Sequence, residues 1–121
     1  MEFLKKIEEK WQRNWENAKI FEANPDPSKP KFFITFPYAY MNGPLHAGHA
    51  FTASRTDAYA RFKRMQGYNV LHPMGFDAFG LPAENAAIKM KTNPAKLIAQ
   101  YAADHTRQCG RTGSAYAWRG E

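Results

Sequence analysis

Lys31-Phe32-Phe33-Ile34-Thr35-Phe36 and Asn69-Val70-Leu71-His72, separated by a helical pattern from about Ala47 to Gln66, decide the fold. The first segment is a continuous apolar run rich in aromatic and β-branched residues, the mark of a strand buried on both faces. It stops at Pro37. Phe51, Ala58, Phe62 and Met65 then recur at helical spacing, with Arg55, Asp57, Arg61, Lys63 and Arg64 between them, and Gly67 closes the helix. Strand, helix, strand in that order is a βαβ unit, whose strands run parallel and whose crossover is right-handed. Ligands of such sheets sit beyond the carboxyl ends of the strands, so Pro37 to His49 and Pro73 to Pro82 share one rim.

Outward from this unit, Leu4, Ile7, Trp11, Trp15 and Ala18 line one face of a helix over residues 2 to 20, a docking stripe. Asn24-Pro25-Asp26-Pro27-Ser28-Lys29-Pro30 is a linker, since its three prolines remove donors and fix φ. Beyond the second strand, Pro82 or Ala83 opens a helix running to about Lys91, with Glu84 near its positive end. Asn93-Pro94 caps another, whose stripe of Leu97, Ile98, Tyr101, Ala102 and His105 runs up to Gly110. Arg111 to Glu121 has no period. The division is a helix region over 1–23, the βαβ unit with the helix after it over 31–92, and a helix with an aperiodic tail over 93–121.

The composition fits a single packed unit. Of 121 residues 44% are hydrophobic and 23% charged, which excludes a disordered chain. Apolar runs are far too short to cross a bilayer, so no membrane is expected. One cysteine, Cys109, cannot form an internal disulfide, which suits a reducing, cytoplasmic compartment. Seventeen Lys and Arg against eleven Asp and Glu leave +6, a balance that favours an anionic partner such as nucleotide or RNA.

Chemistry concentrates at two places. Leu45-His46-Ala47-Gly48-His49 follows a strand and opens a helix, where free N–H groups and the dipole favour an anion and imidazoles can donate to phosphate. Gly48 leaves room for a flat ring against the backbone. A zinc pair is the competing reading, but His72, His105 and Cys109 stand at no ligand spacing, and no metal site is expected. In Pro73-Met74-Gly75-Phe76-Asp77-Ala78-Phe79-Gly80, Asp77 sits among apolar neighbours. Either backbone donors satisfy its carboxylate in a turn, or a cationic ligand meets it.

Pro37-Tyr38, Asn42-Gly43-Pro44-Leu45 and His46-Ala47-Gly48-His49 together resemble the first signature of class I aminoacyl-tRNA synthetases, usually His-Ile-Gly-His. Arg61-Phe62-Lys63-Arg64-Met65-Gln66-Gly67-Tyr68-Asn69-Val70-Leu71, followed by Gly75-Phe76-Asp77-Ala78-Phe79-Gly80-Leu81-Pro82-Ala83-Glu84, is similar to the leucyl members. The opening helix with Trp11, Trp15 and then Phe21 is too. The likeness covers residues 1 to about 96 well. Beyond it, Gly113, Tyr116, Trp118 and Glu121 align with a family stretch from which Ala115, Ala117, Arg119 and Gly120 depart; Ala50-Phe51 is valyl-like.

The resemblance implies an α/β fold, a partial Rossmann-like parallel sheet with flanking helices preceded by an N-terminal amphipathic helix. It implies that His46, Gly48 and His49 hold ATP, Gly48 on the adenine side and the histidines toward the phosphates. Asp77 would meet the ammonium of leucine, and Phe36 and Tyr38 would form part of the leucine pocket. The implied reaction is leucine activation by ATP, with magnesium, to leucyl-adenylate, then transfer to tRNA(Leu). The family's second signature, Lys-Met-Ser-Lys-Ser, has no equivalent, Lys89-Met90-Lys91 being a superficial echo. The chain therefore reads as the N-terminal part of a longer protein, weak or inactive without the remainder of the synthetase as a companion. A small adenylyltransferase with another acceptor is one alternative. A non-catalytic RNA- or protein-binding piece using Arg55, Arg61, Lys63 and Arg64 is the other.

Overall fold

The computed structural model describes residues 2–117. Its elements are α1 (Glu2–Asn17), β1 (Lys31–Phe33), α2 (Ala47–Met65), β2 (Asn69–Leu71), α3 (Leu81–Lys89) and α4 (Pro94–Arg111). β1 and β2 pair in parallel with Lys31, Phe32 and Phe33 opposite Asn69, Val70 and Leu71, as the βαβ order requires. Backbone bonds continue the pairing beyond both ends: Asn69 N–H donates to Pro30 at 2.9 Å and Ile34 N–H to Leu71 at 3.1 Å. Among the described residues no helix is long and apolar enough to cross a membrane.

β1 is shorter than the apolar run and is not buried on both faces. Phe32 and Val70 point toward α2, where the Phe32 ring meets Tyr59 at 5.6 Å, while Phe33 is 61% exposed and Leu71 lies open beside it. A single helix covers one side of two strands, so the pleat separates a packed face from a bare one.

α2 spans the expected residues but is turned the other way. Phe51, Ala58, Phe62 and Met65 face out, Met65 at 85% exposure, and Ala60 is the buried residue. The inward side carries Asp57, Arg61 and Arg64, because their partners are aromatic rings and backbone groups. Arg61 Nε lies 2.8 Å from Asp57 Oδ2, its terminal nitrogen donates to the Gly113 carbonyl, and its guanidinium lies over Trp15 and Phe21 at 5.3 and 5.1 Å. Arg64 covers Phe21 at 5.2 Å, and the Lys63 ammonium stands among Phe32, Tyr59, Phe62 and Tyr68, 4.8 Å from the last. Cation–π contacts of this kind are worth about 0.5–1 kcal/mol each when exposed and more when desolvated. Of the four cations expected to make a basic surface, only Arg55 is exposed.

α1 ends at Asn17 and buries no residue. Its expected docking stripe reduces to Trp15, half-buried against Phe21 at a centroid separation of 5.7 Å, whereas Trp11 is 49% exposed. α3 and α4 pack together through Ala83, Ala87 and Leu97. Gly80 caps α3 with φ 107°, a conformation open to glycine, and the Asn93 side chain accepts from Ala95 N–H at 2.8 Å to start α4.

The segment after α4 docks firmly, although it has no period. Ala115, Tyr116 and Ala117 are buried. Asp57 Oδ1 accepts Ala115 N–H at 2.6 Å, Ala117 N–H donates to the His72 carbonyl at 2.9 Å, and Pro73 and Ala117 form a parallel bridge beside β2. Small residues let the backbone approach, and backbone bonds need no side-chain pattern. Trp118 and Glu121, aligned by resemblance, lie outside the described residues.

Asp57 thus holds two elements at once. Asp57→Ala strands the Ala115 N–H and leaves Arg61 without its counter-charge, so a loss of about 3 kcal/mol is expected. Urea unfolding followed by circular dichroism measures it; a midpoint unchanged from the parent rules out that role.

Candidate functional site

The rim beyond β1 and β2 is built by two loops joined through their backbones. Asp77 N–H donates to the Ala39 carbonyl and Met41 N–H to the Asp77 carbonyl, both at 3.2 Å, making a parallel bridge between Tyr40 and Asp77. Ala39 and Met41 are buried beneath it. The histidine loop and the aspartate loop are therefore neighbours, as the βαβ reading expects.

His46 caps α2 in extended backbone, φ −129° and ψ 175°. Its Nδ1 accepts Gly48 N–H at 3.1 Å, while His49 Nδ1 accepts His46 N–H at 3.2 Å, and the rings lie 3.9 Å apart at 35°. An accepting Nδ1 carries no proton, so the ring proton of each neutral imidazole sits on Nε2, free to donate. The His46 side chain also accepts the His49 N–H, completing a capping box, and the Ala47 N–H has no hydrogen-bond partner among the described residues, so an amide donor and the imidazole donors coincide at the amino end of the helix dipole. A β-carbon at Gly48 would lie 2.9 Å from His46 Cε1, so the ring's return onto the helix leaves no space for a side chain.

Asp77 shows a division of labour. Its backbone makes the bridge, while its partly buried carboxylate has no hydrogen bond or ion pair among the described residues. The turn-capping alternative is therefore not what the carboxylate does. Tyr38 lies against the same loop, since a β-carbon at Gly75 would come within 2.8 Å of its ring. Phe36 meets Tyr38 edge-on at 6.1 Å but also packs on His72 and Tyr116, at 6.4 and 6.0 Å. His72 is fully buried, and burial pushes the nearby Tyr116 hydroxyl up to about 12.

Neither of two clefts flanking α1, one between Trp11, Trp15, Arg61 and Arg111 and the other between Trp15, Phe21, Arg107 and Tyr116, is lined by any of the six site residues. No three His, Cys, Asp or Glu side chains gather as a metal site among the described residues. Cys109 is buried, which raises its thiol pKa. Sequence reasoning missed two residues: Gly75, whose missing side chain seats Tyr38, and His105, counted there as part of an apolar stripe.

The tRNA synthetases class I (M) family matches residues 32–117. Leucine–tRNA ligase of Desulfatibacillum aliphaticivorans is 52% identical over 114 residues, 94% of this chain and 13% of that protein. Its counterpart in Syntrophobacter fumaroxidans is 49% identical over 117 residues, 97% of this chain and 14% of that protein. Among solved structures, LeuRS of Agrobacterium radiobacter K84, in a ternary complex with tRNA and LeuAMS, superposes with a TM-score of 0.89 at 40% identity, over 92% of this chain and 14% of that one. Methionyl-tRNA synthetase of Mycobacterium tuberculosis, in complex with methionyl-adenylate, gives 0.71 at 31% identity, over 77% and 18%. The chain thus spans about 14% of the length of the leucyl proteins it matches.

Burial first, then His46, then His105 hold the His49 pKa below its usual 6.5; burial, opposed by Asp57, lowers that of His72. With folded values below unfolded ones, the unfolded chain binds the proton first. The stability is complete above pH 6.5 and is lost as pH falls through the folded-state values. The urea midpoint should hold from pH ~8 to ~7 and drop toward pH ~5, less steeply in His49→Gln. A midpoint level down to pH ~5 contradicts this. His46→Ala removes a helix cap and should cost about 1 kcal/mol in the same assay.

Proposed function

Since the chain belongs to the class I tRNA synthetases and groups with their leucyl members, we propose that it carries the first half of a leucine activation site. One observation carries this reading: the reciprocal histidine cap and the open Asp77 carboxylate stand on loops bridged to each other at one sheet rim.

In this reading the Nε2–H groups of His46 and His49, with the Ala47 amide, hold phosphate oxygens of ATP. Gly48, on the adenine side, lets the His46 ring lie close against the helix backbone. Asp77 takes the leucine ammonium, and Phe36 and Tyr38 contact its side chain. A leucine carboxylate oxygen bonds to the α-phosphorus while the bond to the bridging oxygen breaks, giving leucyl-adenylate and pyrophosphate; the leucyl group then passes to the terminal adenosine of tRNA(Leu). No protein nucleophile takes part. Holding two substrates in line accounts for much of such catalysis. Magnesium, where present, would be held largely by the nucleotide phosphates and water, and would neutralise phosphate charge there.

The division into 1–23, 31–92 and 93–121 and a cytoplasmic setting belong to the same proposal. With no Lys-Met-Ser-Lys-Ser stretch in its 121 residues, the chain has no second set of phosphate cations. Alone it should catalyse leucine-dependent pyrophosphate exchange on the order of 100-fold or more below a full-length enzyme. The RNA-binding alternative loses its footing in the commitment of Arg61, Lys63 and Arg64 to aromatic partners.

Calorimetric titration with a non-hydrolysable leucyl-adenylate analogue tests the site. The parent should bind and Asp77→Ala should weaken binding about tenfold or more, as expected for a lost charge-assisted contact. Equal affinities for both proteins remove the ammonium assignment, and exchange by the chain alone at full-length rates removes the half-site.

A further inference from the structure

We infer that His105 is a positioning residue for the nucleotide loop: from α4 its ring holds the Gly43 carbonyl and with it the turn that delivers His46 and His49. The inference rests on the reading of that turn as the ATP site.

His105 is 1% exposed, and its Nε2 lies 3.0 Å from the carbonyl oxygen of Gly43, 62 residues earlier. A carbonyl only accepts, so Nε2 bears the proton. Nδ1 is buried with no hydrogen-bond partner among the described residues. A leucine would fill much of this space without burying an unsatisfied nitrogen, so the ring's distinguishing contribution is the donor at Gly43.

The contact sits where the loop has little freedom. Gly43 precedes Pro44, which restricts its backbone to extended conformations, and His46 is itself extended. Only Pro44, whose φ is fixed, and Leu45 separate Gly43 from the cap residue His46, so turning that carbonyl swings both imidazoles. The same ring meets Phe76 at 6.1 Å, one residue from Asp77. One side chain of α4 thus touches both loops of the rim behind the bridge between Tyr40 and Asp77.

The test compares the full chain with His105→Leu, which has no donor, and His105→Gln, whose amide can restore one. Amide hydrogen exchange at His46 and Gly48 reads the cap directly, and titration with ATP reads the site. In His105→Leu exchange at both amides should quicken about tenfold and ATP should bind about tenfold more weakly, with α3 amides unchanged; His105→Gln should recover most of both. Unchanged exchange at His46 and Gly48 in the leucine variant, or a glutamine variant no better than leucine, reduces His105 to core filling. Should the leucine variant fail to fold, ring nitrogen shifts of the parent decide: a proton on Nε2 hydrogen-bonded to Gly43 supports the role, and a proton on Nδ1 alone overturns it. A parent that binds no ATP defeats the nucleotide reading, while the exchange comparison still decides whether His105 holds the cap.

Discussion

The two amide bonds that join Asp77 to Ala39 and Met41 set what the rest of the rim can do. Each strand is three residues long, so the sheet alone fixes little beyond its own register. The bridge prolongs the parallel pairing to the place where the loops diverge. With it in place Tyr38 falls against Gly75, Asp77 stays beside the first loop, and His105 can reach both loops from behind. Because backbone atoms do the joining, the Asp77 carboxylate is left over. The histidines follow the same economy: Nδ1 of each ring builds the helix cap and Nε2 remains for a ligand.

A second knot lies under α2. A partly buried ion pair contributes little by itself once desolvation is counted. Asp57 and Arg61 matter through what else they bond: the Ala115 amide, the Gly113 carbonyl and two aromatic rings. That arrangement pulls the segment after α4 onto the end of β2, buries Tyr116 against His72 and Phe36, and seats α1 through Trp15, with Gln12 donating to the Arg111 carbonyl. The floor of the rim and the seat of the first helix thus share one carboxylate.

The helices were legible wherever their ends are written in local chemistry. Asn93-Pro94 and Gly67 mark α4 and α2 because a cap, a fixed φ and a positive φ of 87° are properties of single residues. The parallel order of 31–72 followed from connection rules, and the rim followed from the order. Rotation of α2 was not legible, since a helical period identifies faces without saying which has partners, and Arg61 and Arg64 have theirs on distant segments. The bare side of β1 was hidden for a similar reason: an apolar run states what can be covered, not what covers it. The docked segment from Gly113 to Ala117 is held by backbone donors, which leave no trace in side-chain pattern. His105 sat correctly in its stripe, but nothing local announces a bond to a carbonyl 62 residues away.

Charge sets the limit of this rim's chemistry. Burial keeps His49 neutral near pH 7, so the imidazole there offers a hydrogen bond rather than a fixed positive charge. On α2, Arg61 and Arg64 face aromatic rings, Lys63 stands in its aromatic surround, and even exposed Arg55 lies over Phe51 at 5.5 Å. In the proposed activation of leucine, a departing pyrophosphate would accumulate negative charge that neutral donors stabilise only in part. The arrangement suits gripping and aligning: directional donors on one loop, an unpaired carboxylate on the next, and a bridge that joins the two loops. Compensation of the departing charge calls for mobile or additional cations, which the packing of α2 does not release.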